Sequence, residues 1–449
     1  MNSRTRIGVV GLGYAGLPMA VAIASHGVFK VQGVDLQRRI ASLKHTEPQI
    51  SEPGVSELFN PCLKKGNLRL SSEPSALGDC KIIFVSIDTP PKSDGSIDLR
   101  PLSIAAQSIG KQLKRTNKRT TVVLRSTVVP GTTRSMFGPT LVEASGGDIG
   151  DRFDVVVNPD FSAEGKALHD IAHPDRIVVG TKDGEPSAAL RSFYHEFYGE
   201  GYSKIPYVET RYENAELTKY ASNLFLSLKV GFANEISRIC EVTPHADIDV
   251  VAYATGLDKR IGADFLGAGP GWGGGCFGKD ASAILRYAEA LGISNLPICN
   301  SSLVSNSLQK KHVVGLAESA LGDLGERRVA VLGLAFKKGV SDVRGSQAFE
   351  IISELLSKGA IIRAYDPLAT SKFKSEFDLP LFYAGSASQC VEGAEAVIIL
   401  TDSDEFKTLD FFSHKESPIV IDTRRILTDR LRKTHIGYRG LGVHAAEVQ

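Results

Sequence analysis

The amino-acid sequence predicts an α/β protein with two Rossmann-like, doubly wound parallel-sheet domains joined by a helical central domain with a long spine helix. Three observations predict this fold: a glycine-rich strand–turn–helix at the start, a long helical segment in the middle, and a second strand–turn–helix near the end. The expected domains are residues 1–205, 206–320 and 321–449. A chain of 449 residues suits such a division, because single cores rarely grow beyond about 250 to 300 residues.

The chain opens with an apolar strand, residues 7–10, that runs into a glycine-rich turn, residues 11–16. In such a turn the first glycine bends the chain, the second admits a pyrophosphate, and the third lets the next helix pack on the strand. The following strand, residues 30–35, ends in a carboxylate that would hold ribose hydroxyls and repel a 2′-phosphate. The pattern predicts NAD as the cofactor, bound by Gly11, Gly13, Tyr14, Ala15, Gly16 and Asp35.

A secretory signal is the rival interpretation of these first residues. Arg4 and Arg6 precede an apolar run that extends to Ala24. The embedded glycine turn and the immediate second strand argue against a signal, so we expect this segment to belong to the folded domain.

Short apolar runs at residues 80–86, 121–127, 154–158 and 176–180 predict the remaining strands of the first sheet. Open parallel sheets bind their ligands at the carboxyl ends of the strands. Polar residues that follow these runs are therefore candidate site residues, and they are Thr89, Thr127 and Glu164.

Residues 212–241 contain no proline and almost no glycine, which predicts the spine helix of the central domain. Lys219 and Asn223 lie four residues apart on it, so their side chains project from one face. Apolar residues surround them in the sequence, which indicates partial burial and favours a functional role over a solvated stripe.

A glycine-dense loop carries a single thiol, Cys276, followed closely by Lys279 and Asp280. Glycines let the backbone approach a ligand, the cation favours a thiolate, and the carboxylate can hold a water molecule or a proton. Cys276 is therefore predicted to be a nucleophile. The alternative is a buried structural cysteine, but five glycines within residues 269–275 are hard to explain in a purely structural turn.

Residues 328–336 begin the second strand–turn–helix, and residues 361–366, 396–400 and 418–422 predict its further strands. The turn at residues 333–338 has basic residues where the third glycine would stand. This difference favours a nucleotide diphosphate over a second dinucleotide. Lys337 and Arg344 are the candidate anion contacts, although either one alone would be an ordinary surface charge.

The composition argues against nucleic-acid-binding, membrane and metal-binding classes of protein. There are 52 basic and 51 acidic residues, so the formal net charge of +1 predicts neither a nucleic-acid partner nor an anionic membrane partner. No run approaches the roughly twenty apolar residues that a transmembrane helix needs. The six cysteines show no CxxC pair and no metal-ligand spacing, which predicts free thiols, no metal site and a cytoplasmic location.

Taken together, these motifs resemble the nucleotide-sugar 6-dehydrogenase family, also called the UDP-glucose/GDP-mannose dehydrogenase family, nearly from end to end. The motifs that carry the resemblance are the glycine turn, residues 11–18, then residues 52–54, 89–90, 94–99, 126–128 and 214–223, and the Cys276 loop. The resemblance implies an NAD domain, a central domain that forms a homodimer or higher homo-oligomer, and a C-terminal UDP-binding domain. The implied reaction is a four-electron oxidation of a primary alcohol to a carboxylate with two NAD and no release of the aldehyde.

The resemblance also implies roles for individual residues. Cys276 would form a thiohemiacetal and then a thioester, and Lys219, Asn223 and Asp280 would surround a water that serves as the base. Glu164 would activate the hydrolytic water, with Thr127 nearby. The implied cofactor contacts are Asp35, Arg39, Thr89, Thr127, Glu164, Lys279 and Arg344. The implied substrate contacts are Asp160, Phe161, Lys219, Asn223, Arg260, Phe265, Gly269, Gly273 and Lys337, with Arg260 reaching across the dimer.

Two positions depart from the family pattern. The family usually has Pro-Glu-Phe-Leu-Arg-Glu-Gly, whereas residues 159–165 read Pro-Asp-Phe-Ser-Ala-Glu-Gly, which shortens one carboxylate and removes an arginine. Gly278 stands where a proline usually follows Cys-Phe. We expect the chemistry to survive both changes, because neither removes a reacting group.

Several functions remain open at this point. UDP-glucose is the first candidate substrate because it is the most frequent in the family, GDP-mannose is the second, and an N-acetylated UDP-hexosamine is the third. A single-step β-hydroxyacid dehydrogenase would share the N-terminal fold and a helical lysine followed by asparagine, but would need no cysteine loop. A catalytically silent nucleotide-binding protein would not need the complete set of reacting residues.

Overall fold

The structure is a computed structural model that describes residues 4–45, 52–411, 417–427 and 437–444. It divides into two compact units, Met1–Ser222 and Asn223–Gln449, with the boundary inside the longest helix. The fold class predicted from the sequence is confirmed, since each unit is built on a Rossmann-like sheet. The boundaries of the three expected domains stay a prediction.

The first unit contains one eight-stranded sheet, in the order β3-β2-β1-β4-β5-β6-β7-β8. Its strands are β1 (Arg6–Val10), β2 (Lys30–Val34), β3 (Leu68–Ser71), β4 (Ile82–Val85), β5 (Thr120–Leu124), β6 (Phe153–Val157), β7 (Ile177–Thr181) and β8 (Tyr207–Arg211). Its helices are α1 (Gly16–His26), α2 (Gln37–His45), α3 (Val55–Lys64), α4 (Arg100–Leu113), α5 (Gly138–Ser145), α6 (Ala167–Ala172), α7 (Ala188–Tyr198) and the start of α8 (Tyr212–Val242). Short helical turns occur at Pro74–Leu77, Thr133–Phe137 and Gly199–Lys204.

The last two strands of this sheet differ from the expectation of an all-parallel sheet. β6 and β7 are antiparallel, whereas β7 and β8 are parallel to each other. The connection from β6 to β7 contains only the six-residue helix α6, which packs beside α1. The chain therefore enters β7 at the same end of the strands at which it left β6, because no long crossover helix returns it to the opposite end.

The second unit contains a six-stranded sheet, in the order β11-β10-β9-β12-β13-β14. Its strands are β9 (Arg328–Leu332), β10 (Ile361–Tyr365), β11 (Phe382–Tyr383), β12 (Ala396–Ile399), β13 (Ile419–Asp422) and β14 (Tyr438–Gly440). Its helices, after the end of α8, are α9 (Ile248–Gly256), α10 (Phe277–Ala290), α11 (Pro297–Leu321), α12 (Gln347–Ser357), α13 (Thr370–Glu376), α14 (Ala387–Val391) and α15 (Asp404–Thr408). All its strand pairs are parallel.

The two sheets repeat one topology. Numbered from the first strand of each unit, the first six strands of both sheets have the order 3-2-1-4-5-6, which is the doubly wound dinucleotide-binding order. The central strands are almost completely buried, as expected when helices cover both faces of a parallel sheet. Among the described residues, no helix is both long enough and apolar enough to cross a bilayer.

Candidate active site

The glycine turn after β1 leaves space for a phosphate group. Gly11 has a φ of +88°, and a Cβ on Gly16 would lie only 1.8 Å from the Gly11 carbonyl oxygen, so neither position accepts a side chain. A Cβ built on Gly13, by contrast, has no described heavy atom within 4 Å. The turn is therefore packed tightly against the protein at Gly11 and Gly16 and leaves open space at Gly13. The N-terminus of α1 lies next to this space. These residues fit an NAD pyrophosphate.

Two side chains hold this turn in place. Asp35 accepts hydrogen bonds from the backbone N–H groups of Leu12 and Leu36, each at 2.6 Å. Arg39 Nε donates to the Leu12 carbonyl at 3.1 Å. Asp35 and Arg39, both expected to contact the cofactor, thus bind the N–H and the carbonyl of Leu12.

The corresponding turn after β9 uses its acidic residue differently. One carboxylate oxygen of Asp366 accepts from the N–H groups of Leu334 and Ala335, at 2.8 and 3.0 Å. The other accepts from Leu368 and Ala369, at 2.8 Å each, and Asp366 is only 5% exposed. Four backbone donors therefore occupy this carboxylate and leave it no lone pair directed at a ribose. This arrangement agrees with the expectation that the second sheet does not bind a dinucleotide.

The candidate residues at the carboxyl ends of β4, β5 and β6 lie in neighbouring loops of the first unit. Thr89 is buried and donates to the Thr127 carbonyl at 2.8 Å. Asp160 forms an ion pair with Arg125 at 2.9 Å and accepts the Ser162 N–H at 3.0 Å. Burial alone would raise the pKa of Asp160, but the cations of Arg125 and Lys219 outweigh it and lower that pKa. Asp160, expected to contact substrate, thus directs its carboxylate to a buried arginine.

Phe161 and Lys219, which the resemblance implies as substrate contacts, lie close together in the structure. The Lys219 ammonium is 5.5 Å from the centre of the Phe161 ring, and the Arg176 guanidinium is 4.0 Å from it. Arg176 also donates to Ser222 on α8. Lys219 is only 9% exposed. Two cations thus lie near the Phe161 ring, an arrangement that cation–π attraction favours.

In the second unit, Asp280 is the centre of a buried polar cluster. One of its carboxylate oxygens accepts from the Asn223 amide at 2.6 Å, and the other contacts the Lys279 ammonium at 2.7 Å. Asp280 is 2% exposed and Asn223 is 6% exposed. The sequence predicted all three as site residues, and the structure brings them into contact. A carboxylate held in this way is fixed in position.

Cys276 is exposed and lies at the N-cap position of α10. Its carbonyl accepts the Asp280 N–H at 2.8 Å, which joins the thiol residue to the polar cluster by one helical turn. The N-terminus of a helix carries a partial positive charge that stabilises anions. The location is suited to a reactive thiolate, and the structure does not bury the thiol in a turn as the structural alternative required.

The glycines beside Cys276 pack against the loop that follows β9. A Cβ on Gly273 would lie 2.3 Å from the Gly345 carbonyl oxygen, and one on Gly274 would lie 2.9 Å from the Phe336 ring. Gly275 faces the Arg344 guanidinium in the same way, at 3.1 Å. These glycines are therefore needed for close approach to the loop that carries Lys337 and Arg344.

Arg344 is itself held by a buried acid. Its guanidinium contacts Asp342 through Nε and Nη2 at 2.8 and 2.5 Å, and Asp342 is fully buried. Burial opposes ionisation, but the hydrogen bonds and charge of Arg344 lower the pKa of Asp342. Arg344 is thereby a fixed cation beside the cysteine loop.

Four buried amides, which sequence reasoning missed, hold the first half of the cysteine loop. Asn234 accepts the Gly269 N–H, and Gln309 donates to the Gly269 carbonyl. Asn306 accepts the Trp272 N–H and donates to the Trp272 carbonyl. Gln347 donates to the Gly271 carbonyl, and all five bonds are 2.7 to 3.0 Å long. Asn234 lies in the predicted spine helix, and the signal available for all four was an amide among apolar residues. Arg424 was also missed: a Cβ on Gly269 would lie 2.9 Å from its Nη1, and burial lowers its pKa to about 10.

Three further predicted residues lie apart from this cluster or at its edge. The Arg260 side chain is 89% exposed and pairs with Asp258. Phe265 has a φ of +65° and lies 6.1 Å, between ring centres, from Phe277. Lys337 is half-buried, with its ammonium 5.4 Å from the Phe336 ring centre.

Comparisons with known proteins identify the family of the chain. Three models of the UDP-glucose/GDP-mannose dehydrogenase family match the chain: the NAD binding domain at residues 5–198, the central domain at residues 213–307 and the UDP binding domain at residues 330–429. The UDP-glucose 6-dehydrogenase AglM of Haloferax volcanii is 39% identical over 426 residues, covering 94% of this chain and 97% of the relative. The UDP-glucose 6-dehydrogenase YwqF of Bacillus subtilis is 35% identical over 442 residues, covering 97% of each.

Solved structures show the same relationship. A UDP-glucose dehydrogenase from the hyperthermophilic archaeon Pyrobaculum islandicum has a TM-score of 0.88 at 35% identity, covering 98% of both chains. The UDP-N-acetyl-mannosamine dehydrogenase Cap5O from Staphylococcus aureus has a TM-score of 0.76 at 28% identity, covering 98% of both chains. The cofactor is NAD, and the protein is an NAD-dependent oxidoreductase. The chain belongs to the UDP-glucose/GDP-mannose dehydrogenase family.

Proposed function

We propose that this enzyme oxidises UDP-glucose at C6 to UDP-glucuronate, with two NAD and one water consumed and two NADH and three protons released. The observation that carries the proposal is an exposed Cys276 at the N-terminus of α10, one turn from a buried Asp280 that contacts Asn223 and Lys279. A single-step β-hydroxyacid dehydrogenase has no use for this thiol. UDP-glucose is supported by the names of the relatives, four of which are at least 35% identical over 93% or more of this chain.

The residues that would hold NAD in this proposal are those of the glycine turn, with Asp35 and Arg39 beside it and Thr89, Thr127 and Glu164 in the neighbouring loops. Lys279 and Arg344 complete the proposed set of contacts. NAD supplies the hydride acceptor for each of the two oxidations.

The first oxidation needs a base and a fixed alcohol. Asp280 accepts the C6 hydroxyl proton through a water molecule, while Lys219 and Asn223 hold the alcohol oxygen. Loss of that proton and of a hydride from C6 gives the aldehyde. Phe161, Asp160, Gly269, Gly273, Phe265 and Lys337 line the sugar and phosphate side in this proposal, and Arg260 is supplied by the partner of a dimer.

The second oxidation is covalent. The Cys276 sulfur bonds to the aldehyde carbon, and Lys219 and Asn223 stabilise the resulting alkoxide, each such donor contributing roughly 3 to 4 kcal/mol in comparable sites. Loss of the second hydride converts the thiohemiacetal into a thioester. Glu164 then takes a proton from water, which attacks the acyl carbon, and the carbon–sulfur bond breaks to release the carboxylate and the thiolate.

Counting NADH tests the two-step reaction. Complete conversion of a limiting amount of UDP-glucose should yield two NADH per sugar nucleotide, and Cys276→Ser should abolish formation of the acid. A ratio of one, with free aldehyde detected by trapping, would contradict the proposal. A loss of folding in the serine variant is checked by its circular dichroism spectrum and by NAD binding.

A substrate panel tests the sugar. UDP-glucose, GDP-mannose and UDP-N-acetylhexosamines should be compared by kcat/KM under one set of conditions. We expect UDP-glucose to be preferred by at least tenfold. A stronger preference for GDP-mannose or for an N-acetylated sugar would replace the proposed substrate and leave the cysteine chemistry in place.

We further propose that the chain works as a homodimer or a higher homo-oligomer. Phe225, Phe232 and Ile239 on α8 are 54% to 64% exposed and recur every seven residues, which places them on one helix face. An isolated chain would expose this apolar face to water. We also propose that the chain has three domains, at residues 1–205, 206–320 and 321–449. Its proposed location is the cytoplasm.

A further inference from the structure

The segment Glu52-Pro53-Gly54 is one of the motifs behind the family resemblance, but the proposed chemistry gives it no role. In the structure Glu52 is only 4% exposed. Its two carboxylate oxygens accept the backbone N–H groups of Gly165 at 2.6 Å and Ala167 at 3.1 Å. These bonds join parts of the chain that lie more than a hundred residues apart.

The residues that Glu52 holds directly follow Glu164. Gly165 has a φ of +80°, a conformation that favours glycine, and its N–H immediately adjoins the Glu164 residue. Ala167 is the first residue of α6, so Glu52 also satisfies a donor at the start of that helix. Charge-assisted bonds from a buried carboxylate to backbone N–H groups are among the stronger hydrogen bonds in proteins.

Two further acids hold the other side of the same loop. Asp160 accepts the Ser162 N–H at 3.0 Å, and Asp170 accepts the Ala163 N–H at 2.9 Å. Asp170 belongs to α6 and Asp160 follows β6, whereas Glu52 comes from the segment before α3. Glu164 therefore lies between backbone groups that are fixed from both directions, and on its C-terminal side Glu52 accepts the N–H groups of Gly165 and Ala167.

We propose that Glu52 is a positioning residue that fixes Glu164 for hydrolysis of the thioester. This inference rests on the proposed function, because it assigns Glu52 to the last of its steps. In the proposed function the two oxidations depend on Cys276, Lys219 and Asn223, whereas the backbone groups that Glu52 holds adjoin Glu164, the proposed base for hydrolysis. Loss of Glu52 should therefore slow the release of the acid far more than the two oxidations that precede it.

The experiment compares Glu52→Ala and the milder Glu52→Gln with wild type, at saturating NAD and UDP-glucose in a stopped-flow instrument. We expect a rapid burst of two NADH per active site, followed by a steady-state rate about 10- to 100-fold below that of wild type. Intact mass spectrometry should find the glucuronyl-nucleotide thioester on Cys276. Hydroxylamine, which attacks thioesters without a general base, should raise the steady-state rate of both variants.

Glu209→Gln is the matched control, because Glu209 is also a largely buried glutamate that accepts a backbone N–H, that of Ser187, but lies on the edge strand β8. It should show neither the burst nor the adduct. A double variant tests whether Glu52 acts through Glu164. Glu52→Ala combined with Glu164→Gln should be no slower than Glu164→Gln alone, since the two residues act on one step.

A steady-state rate within twofold of wild type, or a burst amplitude reduced in proportion to the rate, would overturn the role of Glu52. The second result would mean that only a fraction of the variant is folded and active. Failure of the proposed function is recognised separately, because wild type itself would then release one NADH per sugar nucleotide, with free aldehyde.

Discussion

At the scale of single residues, Asp160 shows how a departure from the family sequence is accommodated. Its carboxylate neutralises the buried Arg125, which also donates to Asn158 at 2.8 Å. Removal of one partner from a buried ion pair leaves an uncompensated charge and typically costs about 3 to 5 kcal/mol. Asp160→Ala should therefore lower the free energy of unfolding by about this amount in urea titrations, and Asp160→Ala/Arg125→Met should recover part of it.

The same pair predicts a pH dependence. The pKa of Asp160 is lower in the folded protein than in the unfolded chain, so its stabilising contribution is complete above the ordinary aspartate pKa and is lost as the pH falls through the lowered value. The difference in unfolding free energy between wild type and Asp160→Asn should be constant from pH 5 to pH 7 and shrink below about pH 4. A difference that grows on acidification would contradict this assignment.

Asp280 is the residue at which the proposed proton transfer can be tested most directly. Asp280→Asn keeps the shape of the side chain and the contact with Asn223 but removes the charge and the basic oxygen. We expect kcat to fall by about 10²- to 10⁴-fold, as for loss of a general base. Steady-state NADH production measures the effect, and an unchanged melting temperature shows that the fold is intact. A kcat within twofold of wild type would exclude Asp280 as the base.

At the scale of elements, the N-terminus of α10 explains why Gly278 can replace the proline usual in the family. Gly278 is the second residue of α10, where proline is tolerated because the N–H groups of the first turn have no partner within the helix. The nearest atom to a Cβ at this position, in Trp272, is 3.6 Å away. The two residue types are therefore interchangeable at this point of the helix.

Gly274 and Gly278 form a matched pair for testing the loop. Gly274→Ala places a side chain at a φ of +88° and 2.9 Å from Phe336, and the backbone term alone costs about 1 to 2 kcal/mol. We expect Gly274→Ala to reduce kcat at least tenfold and to lower the melting temperature. Gly278→Ala should leave kcat within twofold and stabilise α10 by about 0.5 to 1 kcal/mol. Equal effects of the two substitutions would show that the loop does not need close approach to Phe336.

At the scale of the whole molecule, the apolar face of α8 predicts the association state. Phe232→Glu should convert the oligomer to a monomer of about 48.2 kDa in analytical ultracentrifugation, because a charge would be buried without a partner. Ile104→Glu is the control, since Ile104 is 63% exposed on α4, outside this face, and should leave the mass unchanged. A wild-type chain that sediments as a monomer would refute the proposed dimer.

The sequence was sufficient to predict those parts of the molecule whose pattern is local. The glycine turn, the buried strands and α8 each have such a pattern, and so does the spacing of Cys276, Lys279 and Asp280. The reversal at β7 was not predicted, because it depends on where α6 packs. The amides of Asn306 and Gln347 bind loop residues 34 and 76 positions away, so only the tertiary fold brings them together.

Asp366 has a consequence for how the enzyme turns over. It places a carboxylate of the chain itself on the N–H groups that the second glycine turn could otherwise offer to a phosphate. An anion tethered in this way has a very high effective concentration, so it competes with the phosphates of a free dinucleotide for the N–H groups of Leu334 and Ala335. The described residues then provide one such cofactor site, whereas the reaction proposed above consumes two NAD. If the reaction proceeds as proposed, spent cofactor must leave and a fresh molecule must enter while the sugar is retained, which makes cofactor exchange a stage of every catalytic cycle.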